Sequence, residues 1–323
     1  MTKTRLPASL LFLLALPVLA GAATPPPKTL VSPLGKQMAL KFNDEFDAVA
    51  DRDGRPYIDR AKWETTFWQG TKERTLYGNR EAQLYTDKDY AGPRGEVKPA
   101  QRINPFSFEK PGILTISATE VPESLWSAFG MKKECHFASG LLTSDKSYTF
   151  KYGYIEGRFK LPANRGSWPA LWLLGNDPSL GDPVKAHAWP PEIDVFEFMG
   201  HWREKFSGAI LVRKNQPEEK VNPWTLRYNE VGLDLTKDFH TWAFEWDENE
   251  LVFLFDGKIW LRGKTPPSLQ RPMYLLINLA VGGRWYGSEM TALLKKPVEA
   301  WEVDAASMPW KMECDYIRVY QTQ

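Results

Sequence analysis

The chain has 323 residues, of which 43% are hydrophobic and 25% charged, a composition typical of a soluble globular protein. This length suffices for one large or two modest domains with a sizeable core. Lysine and arginine total 41 against 40 aspartate and glutamate residues, and no long basic run carries interleaved aromatic residues. The charge pattern therefore argues against a nucleic-acid-binding protein, and we expect no nucleic-acid partner.

The N-terminal residues have the pattern of a secretory signal peptide. Lys3 and Arg5 precede an apolar stretch, and small residues follow at Ala20 to Ala22. We therefore predict a signal peptide at residues 1–23, a proline-rich linker at 24–37 and a secreted or periplasmic protein without a membrane partner after cleavage. An N-terminal membrane anchor is the weaker alternative, because the apolar run is shorter than the ~20 residues that span a bilayer.

From Met38 onward, short apolar runs alternate with turn residues. Most runs have five to nine residues and end at Gly, Pro, Asp or Asn. This pattern, with few stretches of 3.6-residue period, predicts an all-β sandwich or barrel in one domain over residues 38–323. The stretch "ENELVFLFDGKIW" predicts a hairpin that turns at Asp256-Gly257. Residues 88–110 and 118–134 are expected to be long loops, either functional or decorative.

The chain has two cysteines, Cys135 and Cys314. An even number in an oxidising compartment permits a disulfide. The distance between their Cα atoms does not follow from the sequence, so a disulfide and two buried free thiols both stay open. Neither cysteine has a histidine or a second cysteine at metal-ligand spacing, so no zinc site is expected.

Three carboxylates stand within one apolar run, "PPEIDVFEFMG". Its β-branched and aromatic residues favour a strand with one face in a core. In a regular strand Glu192 and Asp194 share a face and Glu197 points the other way. One extra residue at Val195-Phe196, a β-bulge, would bring all three acids to one face. Such clustering raises the pKa of the acids. A retaining glycosidase uses this effect, because one of its two carboxyls acts as nucleophile and the other, protonated, as general acid. The two carboxyls lie ~5–5.5 Å apart.

A solvated strand face and a calcium site are weaker interpretations of the acid row. A solvated face does not account for the apolar neighbours, and a calcium loop normally has Asp, Asn and Gly in a turn. Tryptophans favour the catalytic interpretation, because indoles stack on the C–H faces of sugars. Trp168 lies in "GSWPALWLLG" and Trp189 immediately before the acidic strand. For Trp172, as for Trp63, Trp242 and Trp246, a position in the core is expected instead.

The motif "EIDVFEFMG" resembles the E-x-D-x-x-E signature of glycoside hydrolase family 16, in the bulged form of its laminarinase-like members. The resemblance covers most of the chain after residue 38. Further segments match in order: "FNDEFD", "YIEGRFKLP", "GSWPALWLLG", "FHTWAFEWDENELVFLFDG", "INLAVGGRW" and "DYIRVYQ". It implies a β-jelly roll of two curved antiparallel sheets, with a substrate cleft across the concave sheet. It also implies retaining endo-hydrolysis of β-glycans, with Glu192 as nucleophile, Glu197 as general acid/base and Asp194 as the assisting carboxylate.

The resemblance also marks candidate substrate-binding residues, namely Asn79, Arg158, Trp168, Trp189 and His201. Alternatives remain open for three of them: a turn for Asn79, an outer-sheet salt bridge for Arg158 and a strand-end cap for His201. Asp315 resembles a position that holds a structural calcium in many members. No cofactor is expected to be required for catalysis.

Two departures from the family pattern affect the cleft. Leu211 in "SGAILVR" stands where laminarinase-like members often have histidine, and Arg284 where a smaller polar residue is usual. An ordinary β-1,3-glucan substrate is therefore in doubt. We predict a monomeric endo-glycanase acting on β-1,3- or β-1,3-1,4-glucan or a related bacterial exopolysaccharide. A transglycosylase on the same glycans is the first alternative, and a non-catalytic glycan-binding protein, which would not need the acids, is the second.

Overall fold

A computed structural model describes residues 25–70, 74–212 and 224–323, and the predicted signal peptide lies outside these ranges. The N-terminal strands are β1 (Thr29–Val31), β2 (Gln37–Asp44), β3 (Val49–Ala50), β4 (Pro56–Tyr57), β5 (Gln83–Tyr85), β6 (Phe106–Lys110), β7 (Ile113–Glu120), β8 (Phe137–Ser139), β9 (Leu141–Thr143) and β10 (Gly153–Lys160). The remaining strands are β11 (Ser167–Gly175), β12 (Glu192–Glu197), β13 (Lys205–Leu211), β14 (Trp224–Glu230), β15 (His240–Trp246), β16 (Glu250–Phe255), β17 (Lys258–Lys264), β18 (Met273–Val281) and β19 (Trp310–Thr322).

In the part of the chain that the structure describes, helices are few and short. The α-helices are α1 (Glu123–Phe129), α2 (Pro183–Ala186) and α3 (Gly283–Leu294). Single 3-10 turns occur at Trp68–Gly70, Tyr77–Asn79, Pro99–Gln101, Pro178–Leu180, Pro267–Leu269 and Ala305–Ser307. Within the described residues, no helix combines the length and apolar character needed to span a bilayer.

Two large sheets face each other, as predicted for a sandwich. The first runs β17-β16-β15-β10-β19-β7-β8-β5, with β2 also beside β19, β1 beside β2 and β6 beside β7. The second, which we call the cleft sheet, runs β14-β13-β12-β11-β18-β9. Neighbouring strands are antiparallel except β5 and β8. Long connections between sequence-distant strands give each sheet its non-sequential order, which is the arrangement expected of a jelly roll rather than a meander.

Aromatic side chains fill the space between the sheets. Phe159 and Trp242 project from the first sheet and Phe196 from the cleft sheet, with ring centroids 5.3 Å apart for Phe159–Phe196 and 4.5 Å for Phe196–Trp242. Trp63, Trp242 and Trp246, three of the tryptophans expected in the core, are fully buried. This packing fixes which residues of β12 face the core and which face the opposite side.

The opposite face of the cleft sheet is partly covered by residues 65–70 and 74–86. Phe67 and Tyr85 of this segment pack with Trp172 of β11, with ring centroids 5.8 Å apart for Phe67–Trp172. A second, smaller apolar cluster therefore forms on this side of the sheet. The cleft is therefore limited to the part of the sheet that this segment does not cover.

Local sequence signals have mixed outcomes. The Asp256-Gly257 hairpin is confirmed, and both residues have positive φ (45° and 72°), as a two-residue primed turn requires. The expectation of a long loop at 118–134 is wrong, because this stretch contains the end of β7 and helix α1. Residues 88–110 likewise include a 3-10 turn and β6. Helix α3 carries no signal that the sequence analysis detected.

The cysteines are free thiols. Both Cys135 and Cys314 are buried, and they belong to separate apolar clusters. The alternative of two buried thiols is therefore the one that the structure contains. Burial raises the pKa of both thiols, to about 12 for Cys135, which keeps them protonated and unreactive.

Part of the segment predicted as a linker packs on the first sheet. Strand β1 pairs with β2. The Ser32 hydroxyl donates to Glu245 Oε1 (2.6 Å) and the Leu34 amide to Oε2 (2.9 Å), and Lys36 pairs with Asp247. Residues 29–37 therefore supply the partners of a carboxyl group that is completely buried.

Replacing Ser32 by alanine is expected to lower the free energy of unfolding by about 1–3 kcal/mol, because one oxygen of the buried Glu245 carboxyl loses its donor. Chemical denaturation at neutral pH measures the change. The control is Ser288→Ala, at an exposed position of α3, which should stay within about 0.5 kcal/mol of the parent protein. Equal stability of the two variants would contradict the role given to Ser32.

Candidate active site

A bulge in β12 sets the geometry of the acid row. Along β11, Leu174 pairs with Glu192, Trp172 with Asp194 and Ala170 with Glu197, and the register shifts by one residue in between. The pairing with β13 shifts at the same place. The bulge predicted at Val195-Phe196 is thereby confirmed, and the three acids share the cleft face.

The three carboxyls sit in a poorly solvated environment. Asp194 is buried, while Glu192 and Glu197 are half-buried at the floor of the cleft. Loss of hydration raises the pKa of Glu192 to about 7 and that of Glu197 to about 8, and it raises that of Asp194 well above its usual value. The charge of Glu192 adds to the increase at Glu197 and Asp194. A protonated Asp194 donates a hydrogen bond to Glu192, which favours the ionised form of Glu192.

Each of the two outer carboxyls accepts a hydrogen bond from a tryptophan indole N–H. Trp189 Nε1 donates to Glu192 Oε2, and Trp168 Nε1 donates to Glu197 Oε1 (3.1 Å). Each hydrogen bond lowers the pKa of the glutamate that accepts it and fixes its orientation. Trp168 is buried in β11, whereas 48% of Trp189 is exposed at the rim. Both tryptophans line the cleft, and their predicted substrate-binding role stays a prediction.

A fourth carboxyl, which the sequence analysis missed, also reaches the cleft. Glu81 is buried and accepts hydrogen bonds from Asn79 Nδ2 (3.1 Å), Gln83 Nε2 (2.7 Å) and Tyr85 OH (3.3 Å). Its negative charge raises the pKa of both Glu192 and Glu197. The alternation of polar residues in "NREAQLY" is the sequence feature that could have indicated Glu81. Asn79 lies at the cleft, as predicted, and also holds Glu81.

The network continues into the cleft sheet. Asn278 Nδ2 donates to Tyr85 OH (2.8 Å), and Trp172 Nε1 donates to Asn278 Oδ1 (2.7 Å). Trp172 is buried, as expected, but in the apolar cluster on the cleft side of the sheet, where it also lines the cleft. The alternation of β11 decides this, since Trp172 shares its face with Trp168 and Ala170.

Helix α3 contributes a second missed residue, Trp285. Its ring meets Trp168 edge to face at 5.5 Å and Trp202 at 5.3 Å, and it lines the cleft. Glu289 of the same helix accepts a hydrogen bond from Trp202 Nε1 (2.6 Å), and its carboxyl lies 3.4 Å from His201 Nε2. These contacts hold α3 against the end of β12.

Together these residues surround a cavity of about 680 Å³. Its lining residues are Phe67, Gln69, Leu76, Gly78, Asn79, Glu81, Tyr85, Trp168, Ala170, Trp172, Leu174, Trp189, Glu192, Asp194, Glu197, Ala209, Leu211, Leu226, Asn278, Ala280 and Trp285. The volume suits a few sugar units, and aromatic rings with a small number of fixed polar groups are typical of ligand-binding clefts.

Three predicted site residues lie elsewhere. Arg158 projects outward from β10 in the first sheet, where it pairs with Asp315 and covers the Phe239 ring, so its substrate-binding assignment is wrong and the salt-bridge alternative holds. Asp315 lies on the first sheet in an ion pair with that arginine, and its role as a calcium ligand stays a prediction. No cluster of three or more metal-binding side chains occurs among the described residues. His201 contacts Glu289 and Tyr286 instead of lining the cavity.

Comparison with known proteins agrees with the fold and the cleft. Residues 65–296 match the sequence profile of glycosyl hydrolases family 16, and the chain belongs to this family. The predicted family, class of glycoside hydrolase and jelly-roll fold are thereby confirmed. The structure superposes on the laminarinase catalytic domain of Thermotoga maritima with a TM-score of 0.62, at 27% identity over 88% of this chain and 99% of that one.

Two curated relatives illustrate the range of similarity. Endo-1,3-1,4-beta-glycanase ExsH of Rhizobium meliloti is 34% identical over 76% of this chain but 47% of its own length. A beta-glucanase of Rhodothermus marinus is 26% identical over 87% of this chain and 85% of its own length. The chain thus spans about half the length of the Rhizobium relatives that it matches.

Proposed function

We propose that this chain is a retaining endo-β-glycanase that hydrolyses β-1,3- or β-1,3-1,4-glucan or a related bacterial exopolysaccharide. The observation that carries the proposal is the row of Glu192, Asp194 and Glu197 on the floor of an aromatic cleft. The names of relatives, an endo-1,3-1,4-beta-glycanase and laminarinases, support β-glucan as the substrate class. The predicted signal peptide supports a site of action outside the cytoplasm.

Glu192 acts as the nucleophile and Glu197 as the general acid in the first step. The ionised Glu192 attacks the anomeric carbon, the glycosidic C–O bond breaks and Glu197 gives its proton to the leaving oxygen. The hydrogen bonds from Asp194 and Trp189 keep Glu192 ionised and oriented. The higher pKa of Glu197 keeps its proton available, so the two glutamates have the protonation states that the step needs.

Water completes the reaction in the second step. Glu197, now ionised, removes a proton from water, which attacks the anomeric carbon of the glycosyl-enzyme and displaces Glu192. Two displacements at the same carbon retain its configuration. Trp168 and Trp285 offer ring surface to sugar C–H faces near Glu197, and Asn79 lies on the polar side of the cleft, where hydroxyl groups find partners.

Activity should follow a bell-shaped pH profile with its maximum between about 7 and 8. The rate constant kcat/KM rises as Glu192 (pKa about 7) loses its proton, and it falls as Glu197 (pKa about 8) loses its own. Initial rates on a soluble β-glucan, recorded from pH 4 to 10, measure both limbs. A maximum on the acidic side, near pH 4 to 5, would contradict the poorly solvated environment assigned to the pair.

Replacing Glu81 by glutamine should move both limbs of this profile to lower pH. Removing the negative charge lowers the pKa of Glu192 and of Glu197, because Glu81 raises both. The matched control is Glu109→Gln on β6, whose carboxylate pairs with Lys311 away from the cleft and whose loss should leave the profile in place. A lower rate with unmoved limbs would mean that Glu81 affects only substrate binding or packing.

The direct test of the function is product analysis on a panel of laminarin, mixed-linkage β-glucan and bacterial exopolysaccharides. New reducing ends, with the β-configuration seen first by NMR, are expected on at least one of them. Redistribution of chain lengths without new reducing ends would show a transglycosylase instead. Binding without either change would show a glycan-binding protein and refute the proposed hydrolysis.

A further inference from the structure

The cleft has one apolar wall, which the reaction itself does not explain. On β13, the strand beside the acid row, Leu211 pairs with Glu192 and Ala209 with Asp194. On β14, Leu226 pairs with Ala209. All three line the cavity, and we call them the apolar wall. Because paired residues of adjacent strands have their Cβ atoms about 5 Å apart, the wall begins directly beside the nucleophile.

The backbone of β13, which carries Ala209 and Leu211 of this wall, gives no hydrogen bonds to a ligand. Strand β13 lies between β12 and β14 and pairs with both along its length, so its amide and carbonyl groups are used within the sheet. The other side of the cleft differs, since it presents the polar side chains of Gln69, Asn79, Glu81 and Asn278. An unsubstituted sugar unit has hydroxyl groups around its whole rim, and those facing the wall would lose water without finding a partner.

A sugar with a small apolar substituent fits this wall better. The methyl group of an acyl ester would gain from contact with Leu211 and Leu226, and esterification removes the hydroxyl donor that the wall leaves unpaired. An N-acyl group suits the wall less, because its N–H is a donor that needs an acceptor there.

We propose that the apolar wall is a specificity determinant that receives an O-acyl substituent, such as an acetyl ester, on the sugar unit bound beside Glu192. This inference rests on the proposed glycanase function and narrows its substrate to acylated β-glycans. Leu211 is the central residue, since it lies opposite the nucleophile and is only 7% exposed, whereas Leu226 lies at the more open end with 36% exposed.

The test uses one polymer in two forms. In the first step, mixed-linkage β-glucan is lightly O-acetylated by chemical treatment. Half of the batch is then de-esterified with mild alkali, so that the acetylated and the de-esterified polymer have the same chain length and linkage. Mass spectrometry measures the fraction of acetyl-bearing products released by the parent protein, and this fraction is compared with the fraction of acetylated sugar units in the polymer. Affinity for oligosaccharides from both forms is measured by calorimetry with the Glu192→Gln variant, which binds without turnover.

The parent protein should release acetyl-bearing products with an enrichment of about fourfold to twentyfold, the range for one buried methyl group with or without one relieved hydroxyl group. Calorimetry should give the same preference. Leu211→Asn, of similar size but polar, should remove the enrichment or reverse it. Leu293→Asn, the same change at an exposed position of α3, should keep it.

Equal cleavage of both forms, or a preference for the de-esterified polymer, would overturn the inference and leave the glycanase function intact. An enrichment that survives Leu211→Asn would also overturn it, because the preference would then arise elsewhere. Tighter binding of acetylated oligosaccharides without cleavage of either polymer would support the wall assignment and refute hydrolysis of mixed-linkage β-glucan.

Discussion

The Glu192→Ser variant is expected to lose on the order of 10⁴-fold or more of kcat on β-glucan while folding normally. Serine leaves no carboxylate to attack the anomeric carbon, so no glycosyl-enzyme forms. The fold should persist because Glu192 sits on the cleft face and takes no part in the packing between the sheets. Thermal unfolding and circular dichroism serve as the folding check, and reducing-end release measures the activity.

A small anion provides the decisive control for Glu192→Ser. With an activated aryl β-glycoside as substrate, azide can enter the space left by the carboxylate and attack from the same side. An α-glycosyl azide, identified by NMR, would identify Glu192 as the nucleophile. Substantial glucanase activity in a folded Glu192→Ser protein would refute the double-displacement mechanism at this residue.

The Glu197→Ala variant should separate two kinds of substrate. Cleavage of β-glucan needs a proton on a poor leaving group, and loss of the general acid should reduce it by about 10²- to 10⁴-fold. Aryl glycosides with good leaving groups need little proton donation, so formation of the glycosyl-enzyme should change by less than about tenfold. A rapid burst of phenol release followed by slow turnover is therefore expected, because the second step also depends on Glu197.

The control for Glu197→Ala is Trp168→Phe, which keeps the acid but removes its indole donor. Without that hydrogen bond the pKa of Glu197 should rise, so the alkaline limb of the pH profile should move to higher pH. Equal losses on glucan and on activated glycosides in Glu197→Ala would contradict the role of Glu197 as general acid.

The alternation of residues along the strands made the fold and the acid row predictable. A core that must be filled on one side of β12 dictates that Ile193 and Phe196 point inward, which leaves the acids on the other side. The need for a bulge followed from the spacing alone. The family resemblance then assigned roles that the spacing could not distinguish.

The failures come from contacts between distant segments. Arg158 and Asp315 are 157 residues apart in sequence, and only the pairing of β10 with β19 shows that they meet outside the cleft. Glu81 and Trp285 enter the site from a loop and a helix whose positions depend on tertiary packing. Trp172 is buried as expected, but its sequence neighbours do not show on which side of the sheet, because both faces of β11 are covered by apolar clusters.

The bulge in β12 has a consequence for how such enzymes can diverge. Removing the codon of Val195 would leave the order Glu-Ile-Asp-Phe-Glu, in which simple alternation still turns all three acids to the cleft and both apolar residues to the core. Removing Ile193 instead would turn Glu192 toward the core, while Asp194 and Glu197 would stay on the cleft side. A single in-frame deletion at one position therefore changes the spacing of the acids while all three stay in the cleft, without an intermediate form that has a carboxylate turned into the core.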